Sequence, residues 1–195
     1  MYAYLKGNLV FKSPAQVHLD VNGTGYEIHI SLNTYSKLQH LEEVRLFIHF
    51  QVKEDAHNLF GFFDREEKEL FVQLLGVSGV GAATARLMLS NLKPEEACTA
   101  IATGNVRLLE SVKGIGKKTA ERLVLELRDK VGKNTPGSPV NTGWQGNSLS
   151  SDSLNALIAL GISRPAAESA IRKVLQSEPD ITQLEELIKK ALKAI

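Results

Sequence analysis

The sequence predicts a multidomain α+β chain: a small antiparallel β-barrel, an all-helical middle, and a C-terminal three-helix bundle on a flexible linker. Three observations carry this prediction. Apolar residues alternate with period two up to Phe62 and recur at helical spacing from Asp64 onward. Val77, Gly79, Val80, Gly81, Thr84 and Ala85 recur 35 positions later as Val112, Gly114, Ile115, Gly116, Thr119 and Ala120, an internal duplication with the period of one supersecondary unit. Between Lys133 and Ser150, thirteen of eighteen residues are Asn, Thr, Pro, Gly or Ser, too polar a run to offset its own ordering entropy.

Within residues 1–63, strands are expected from Tyr2 to Phe11, over Val17–Val21 and over Tyr26–Ile30. The last two flank Asn22 and Gly23, the strongest short hairpin signal, and Gly25 is placed to supply a bulge. Val44, Leu46, Ile48, Phe50 and Val52 then alternate with polar or aromatic neighbours, giving a long strand with one apolar face, and Leu59–Phe62 closes the set. About five strands in some sixty residues suit a barrel of the OB type, whereas a two-sheet sandwich needs more. All five histidines lie here, none beside a carboxylate or cysteine at metal-ligand spacing, so they read as ordinary strand and turn residues.

Residues 64–132 read as helices throughout. Asp64 and Glu67 have capping-box spacing, and Leu70, Phe71, Leu74 and Leu75 form the buried stripe of the helix they open. Helices are expected over Ala82–Leu92, Pro94–Thr103, Val106–Ser111 and Lys117–Val131, with Pro94 at a first turn and Gly104 as a breaker. Residues 133–150 form the linker, in which Trp144 is the one large apolar side chain. Residues 151–195 carry three apolar stripes: Leu154 to Leu160, Ala167 to Val174, and Leu184 to Leu192 after an Asp180–Gln183 cap. No residue cluster in this tail suggests chemistry, so its expected role is to hold a protein partner.

Composition excludes several classes. The single Cys98 allows neither an intrachain disulfide framework nor a cysteine-rich zinc site. The start has no signal-peptide layout and no apolar run is long enough for a bilayer, so a cytoplasmic location is the default expectation. Net charge is only +1, but residues 107–133 hold eight basic against four acidic side chains, an excess that surrounds the second copy of the repeat.

Glycine turns that feed helices invite a nucleotide-binding reading, which the frame rejects. Gly76 and Gly81 have P-loop spacing, but Ala82 and Ala83 stand where Lys and Ser or Thr are required; at Gly116–Lys117 the first glycine is Ser111 and the hydroxyl position is Lys118. Two readings remain: simple tight turns between helices, or, favoured by the two copies and the lysines of the second, Gly-apolar-Gly turns that set backbone N–H groups against a nucleic-acid phosphate, with Val80 or Ile115 pinning each turn from inside. Such contacts carry no base information, so binding would be indifferent to sequence. Gly79, Val80, Gly81, Gly114, Ile115 and Gly116 are the candidate residues, with Lys113, Lys117, Lys118 and Arg122 adding charge. Glu54 and Asp55 form an acidic tip on the longest strand. They are a plain solvated hairpin tip, or they repel phosphate, or they bind a metal for phosphodiester cleavage, although a nuclease needs more carboxylates on one site than spacing can place.

Taken in order, these elements resemble the RuvA family of Holliday-junction-binding subunits. The resemblance runs end to end and rests on Leu5–Gly7, Val21–Glu27, His49–Ala56, Leu59–Phe62, Gly79–Gly81 and above all Gly114–Arg122. It implies an OB-fold domain, two tandem helix-hairpin-helix motifs, a loose linker and a C-terminal domain that contacts the hexameric ATPase RuvB. It further implies a fourfold homotetramer, used singly or as two face to face, that holds a four-way junction open for branch migration in recombination and repair. The resolvase RuvC is an implied partner in a larger complex. Glu54 and Asp55 match the family's acidic pin. No catalysis, cofactor or metal is implied for the subunit itself, and the alternative from a different class is a stand-alone metal-dependent junction nuclease using Glu54 and Asp55. Leu160, Gly161 and Ile162, at a helix end, are the candidate ATPase contacts. One departure stands out: family members commonly carry Pro-Lys after the first hairpin, whereas Ala82 and Ala83 follow here, leaving that turn to backbone amides with Arg86 as a substitute cation.

Overall fold

The computed structural model describes residues 2–131, 148–178 and 181–195. The chain divides into two compact units, Met1–Pro139 and Val140–Ile195. Most of the expected linker, with Trp144, lies outside the described residues, as does Asp180.

The first unit opens with a closed barrel of five strands, β1 (Tyr4–Ser13), β2 (Gln16–Val21), β3 (Thr24–His29), β4 (Glu43–Val52) and β5 (His57–Phe62), in the order β1-β2-β3-β5-β4. The β2–β3 hairpin turns on Asn22 and Gly23, both with positive φ, as its sequence requires. The expected bulge is elsewhere. Gly25 pairs regularly with Asp20, and the register shifts instead between Leu9 and Phe11 of β1, the strand that must bend to pair with both β2 and β4. The apolar face of β4 is also shorter than its alternation suggests. Val44, Leu46 and Ile48 are buried, Phe50 is half-buried and Val52 is exposed, because the strand runs out beyond the barrel wall into the tip.

Between β3 and β4 the chain forms a helix, α1 (Leu32–Leu38), that its apolar pattern does not announce. Ser31 caps it by accepting from the Thr34 backbone N–H. This short helix joins the barrel to the helical part that follows: α2 (Arg65–Leu75), α3 (Ala82–Asn91), α4 (Pro94–Thr103), α5 (Val106–Glu110) and α6 (Lys117–Val131). Phe60 and Phe62 of β5 belong to the helical core rather than the barrel core, with ring centroids 5.1 and 4.9 Å from Phe71 of α2.

Glu67 corrects a sequence expectation. The Asp64–Glu67 capping box does not form: the Asp64 side chain makes no cap hydrogen bond and pairs with Lys37. Glu67 is fully buried and its two carboxylate oxygens accept from the Ser31 and Thr34 hydroxyls, the latter at 2.8 Å. Each hydroxyl in turn accepts a backbone N–H, from Thr34 and Phe63 respectively, both at 3.0 Å. The capping pattern fails because a tertiary partner outcompetes the local one: two hydroxyls are aimed at Glu67 from α1.

Burial pushes the Glu67 carboxyl above its ordinary range, against the two hydroxyl hydrogen bonds that favour the charged form. A folded-state pKa raised above the unfolded value contributes stability that is fully present below the ordinary carboxylate range and is lost as pH rises through the raised value. Glu67→Gln lacks this titration, so wild type should lose stability relative to the variant across that window; superimposable pH profiles would contradict it. Glu67→Ala strands two buried hydroxyls and opens a void, and should lower the unfolding free energy by about 3 kcal/mol in urea.

The second unit holds α7 (Ser148–Ala159), α8 (Arg164–Ser177) and α9 (Leu184–Lys193) around Leu157, Ala167, Ala170, Ile171, Val174, Leu187 and Ala191. Helix α7 begins at Ser148, so the last three residues of the expected linker are helical. The N-cap of α9 is Gln183, with no side-chain cap bond.

Candidate nucleic-acid interface

The two repeated segments fold into two matching hairpins. After α2, the Val77 N–H bonds to the Leu74 carbonyl at 3.1 Å, and the Val80 N–H returns to the Val77 carbonyl at 3.0 Å; after α5, Val112 bonds to Leu109 at 3.3 Å and Ile115 to Val112 at 3.0 Å. Gly79 and Gly114 sit at the same left-handed φ, +91° and +93°, which admits glycine with little strain and side chains only at a cost. Val80 and Ile115 are buried in the helical core, while Gly79, Gly81, Gly114 and Gly116 are exposed. One apolar side chain thus holds each turn down from inside and leaves its glycine backbone facing solvent.

Helices α3 and α6 start directly from these turns, with the Ala85 and Ala120 N–H groups closing on the Gly81 and Gly116 carbonyls, both at 2.9 Å. The preceding first-turn N–H groups have no intrahelical partner and point out of the helix, where the dipole favours an anion. Around the second turn Lys113, Lys117, Lys118 and Arg122 are all exposed, and among the described residues none forms an ion pair. Around the first, Ala82 and Ala83 supply no charge.

Arg86 stands apart from this arrangement. It is half-buried on α3 and its Nη1 donates to the Ala15 carbonyl at the β1–β2 turn, 3.1 Å away, so part of its guanidinium holds the helix to the barrel. Burial lowers its pKa, and its charge adds to the burial that lowers the His29 pKa. Asn33 reinforces the same joint, donating to the Leu92 carbonyl at 3.0 Å.

Glu54 and Asp55 occupy the β4–β5 connection, closed by a 2.8 Å bond from the Lys53 N–H to the Ala56 carbonyl. Both side chains are exposed, and neither makes an ion pair among the described residues. No group of three or more His, Cys, Asp or Glu side chains among the described residues is placed to hold a metal ion.

In the second unit, Leu160 and Gly161 are exposed past the end of α7, Gly161 with φ +91°. Ile162 bonds back to the Leu157 carbonyl at 3.1 Å and packs on the three-helix core, so of the three only the first two lie open.

The chain is similar to known proteins along its whole length. Residues 1–61 match the model for the RuvA N terminal domain, 71–129 that for a SAM-like helix-hairpin-helix tandem, and 148–195 that for the RuvA C-terminal domain. The relative from Cytophaga hutchinsonii is 45% identical and each chain covers 99% of the other. The chain belongs to the RuvA family. The Flavobacterium psychrophilum relative is 44% identical with 99% of each chain covered, and that from Bacteroides fragilis 40% identical with 100% of each covered; all three are described as Holliday junction branch migration complex subunit RuvA. In this RuvA family member the helix-hairpin-helix match spans both glycine turns, and the barrel that carries Glu54 and Asp55 is the N-terminal match. No helix among the described residues is long and apolar enough to cross a membrane.

Proposed function

We propose that this chain is the DNA-binding, non-catalytic subunit of a Holliday-junction branch-migration complex. The observation that carries the reading is the pair of matched turns with outward backbone amides, one of them ringed by cations that make no ion pair among the described residues, on a chain that also presents an acidic tip. Backbone amides and lysines recognise phosphates, so duplex arms are held without regard to base sequence. Gly79, Val80, Gly81, Gly114, Ile115 and Gly116 build the two phosphate seats; Lys113, Lys117, Lys118 and Arg122 strengthen the second. The working form is a homotetramer, alone or paired face to face, in which two carboxylates from each of four chains, Glu54 and Asp55, meet the crossing strands and repel them apart. A net charge of +1 fits one face that attracts DNA around a centre that does not. Residues 151–195, with Leu160 and Gly161 in the open, dock the ATPase RuvB that drives migration, and RuvC joins a larger assembly. All of this takes place in the cytoplasm.

Purified protein incubated with a labelled four-way junction and Mg²⁺ tests the reading. A stable complex with intact strands is expected, held equally by junctions of unrelated sequence. Cleaved strands would replace it with the nuclease alternative, which no feature of the site favours.

A further inference from the structure

The helix that leaves the first glycine turn is hydrogen-bonded to the barrel, and the helix that leaves the second is not. Three side chains make the joint. Arg86 Nη1 donates to the Ala15 carbonyl at 3.1 Å, and the same carbonyl accepts the Ile30 N–H at 3.0 Å. The Ser90 hydroxyl accepts the Leu32 N–H at 3.1 Å and donates to the Arg86 carbonyl at 2.8 Å. Asn33 Nδ2 donates to the Leu92 carbonyl at 3.0 Å and to that of Leu89, in the last turn of α3, where carbonyls run out of intrahelical donors. On the barrel side these bonds fall on the Ala15 turn and on the consecutive residues 30–33. Among the described residues, the second hairpin and α6 as far as Lys130 make no hydrogen bond to the barrel.

The same barrel holds the acidic tip. Strands β4 and β5 stay paired out to Val52 and His57, and the Lys53–Ala56 bond closes the turn directly after them. Glu54 and Asp55 are thus tied through the barrel to the helix behind the first turn. The two turns divide their duties accordingly: the second has the cations, and the first, followed by Ala82 and Ala83, has the joint. Packing of Phe60 and Phe62 on Phe71 also links barrel to helices, but apolar burial has no direction, whereas hydrogen bonds fix the rotation and register of α3.

We propose that Asn33, Arg86 and Ser90 are positioning residues that set the acidic tip at a fixed distance and angle from the first glycine turn, so that an arm held by the turn brings the crossing strands against the carboxylates. This rests on the DNA-binding reading above. Asn33 and Ser90 carry no charge, are half-buried, and need not touch DNA. Repulsion between exposed charges fades over a Debye length of about 8 Å at physiological salt, so a tip displaced by even part of that length no longer acts on the same strands.

The test is a double-mutant cycle in the full-length protein, crossing Asn33→Ala/Ser90→Ala with Glu54→Gln/Asp55→Asn. Dissociation constants are measured at low ionic strength for a four-way junction and for a linear duplex with the sequence of one arm, with a thermal melt of each protein. With the joint intact, neutralising the tip should tighten junction binding roughly tenfold. With the joint broken, the same change should tighten it about threefold or less, a coupling between distant sites that independent effects would not give. The linear duplex has no crossing point to meet the tip, so the joint variant should bind it as wild type does. Arg86→Gln is a second break in the joint: it should shrink the effect of the tip change in the same way and leave the salt slope of duplex binding unaltered. A loss of about 0.9 in that slope would make Arg86 a phosphate contact and overturn its place in the joint. A tip change still worth tenfold in the joint variant overturns the proposal, whether or not the melting temperature falls. So does an equal loss of duplex binding, since the joint would then merely hold the fold. Wild type that binds no junction removes the DNA-binding reading, wild type indifferent to the tip change removes the repelling role, and either takes the proposal with it.

Discussion

Replacing Lys117 and Lys118 together by alanine is expected to weaken junction binding by up to roughly a hundredfold for each subunit engaged near 0.1 M salt. The same change should flatten the salt dependence by up to about two units of slope for each subunit engaged. The reasoning is counterion release: each phosphate neutralised contributes roughly 0.9 to the slope, and at 0.1 M that is about one decade of affinity per contact. Both lysines stand on the first turn of α6, exposed and without an ion pair among the described residues, so no internal partner competes with phosphate for them. The matching positions on α3 are Ala82 and Ala83, so the loss cannot be made up by the first hairpin. Titrations at several salt concentrations decide the matter. An unchanged slope would mean that these lysines face away from the DNA.

Glu54→Gln/Asp55→Asn is the second change with a large expected effect, and its sign is opposite. Removing charge from a tip that faces phosphate lifts a repulsion, so junction binding should tighten roughly tenfold at low salt, and less at physiological salt, where a Debye length of about 8 Å screens exposed charges. Branch migration driven by the ATPase should slow, because the force that keeps the crossing strands apart is gone. Loss of DNA binding in this variant would contradict the repelling role. Both carboxylates lie in a turn closed by backbone hydrogen bonding between Lys53 and Ala56, and neither makes an ion pair among the described residues, so folding should be unaffected.

Much of this architecture is legible in the residues because it is local. Asn22–Gly23 dictates its hairpin through positive φ at both positions, and Pro94 and Gly104 mark the ends of α4 at the residues observed. Lys117–Val131 is helical over the full span that its apolar spacing indicates. The two glycine turns are legible for the same reason: a left-handed glycine, a buried apolar pin and a helix start are all written within a few positions, and the duplication writes them twice.

What could not be read depends on partners far away in sequence. Helix α1 has too few apolar positions to show a period, and it stands because Ser31 caps it and its Ser31 and Thr34 hydroxyls reach Glu67 some thirty residues on. Glu67 carried a capping signature that α1 overrode, and Arg86, a cation expected near the first hairpin, is tied to the Ala15 carbonyl by one of its donors.

The sequence by itself determined the elements other than α1, the two glycine turns and the family, since each depends on backbone preference or apolar period along a short span. Only the tertiary structure decided which residues stand near those turns: a Cβ added at Gly114 would first meet Thr84, and one added at Gly79 would first meet Thr119. A proximity between residues 30 or 40 positions apart leaves no period and no local propensity, because it exists only once both helices are packed on the common core of Val80, Ala85, Ile115 and Ala120.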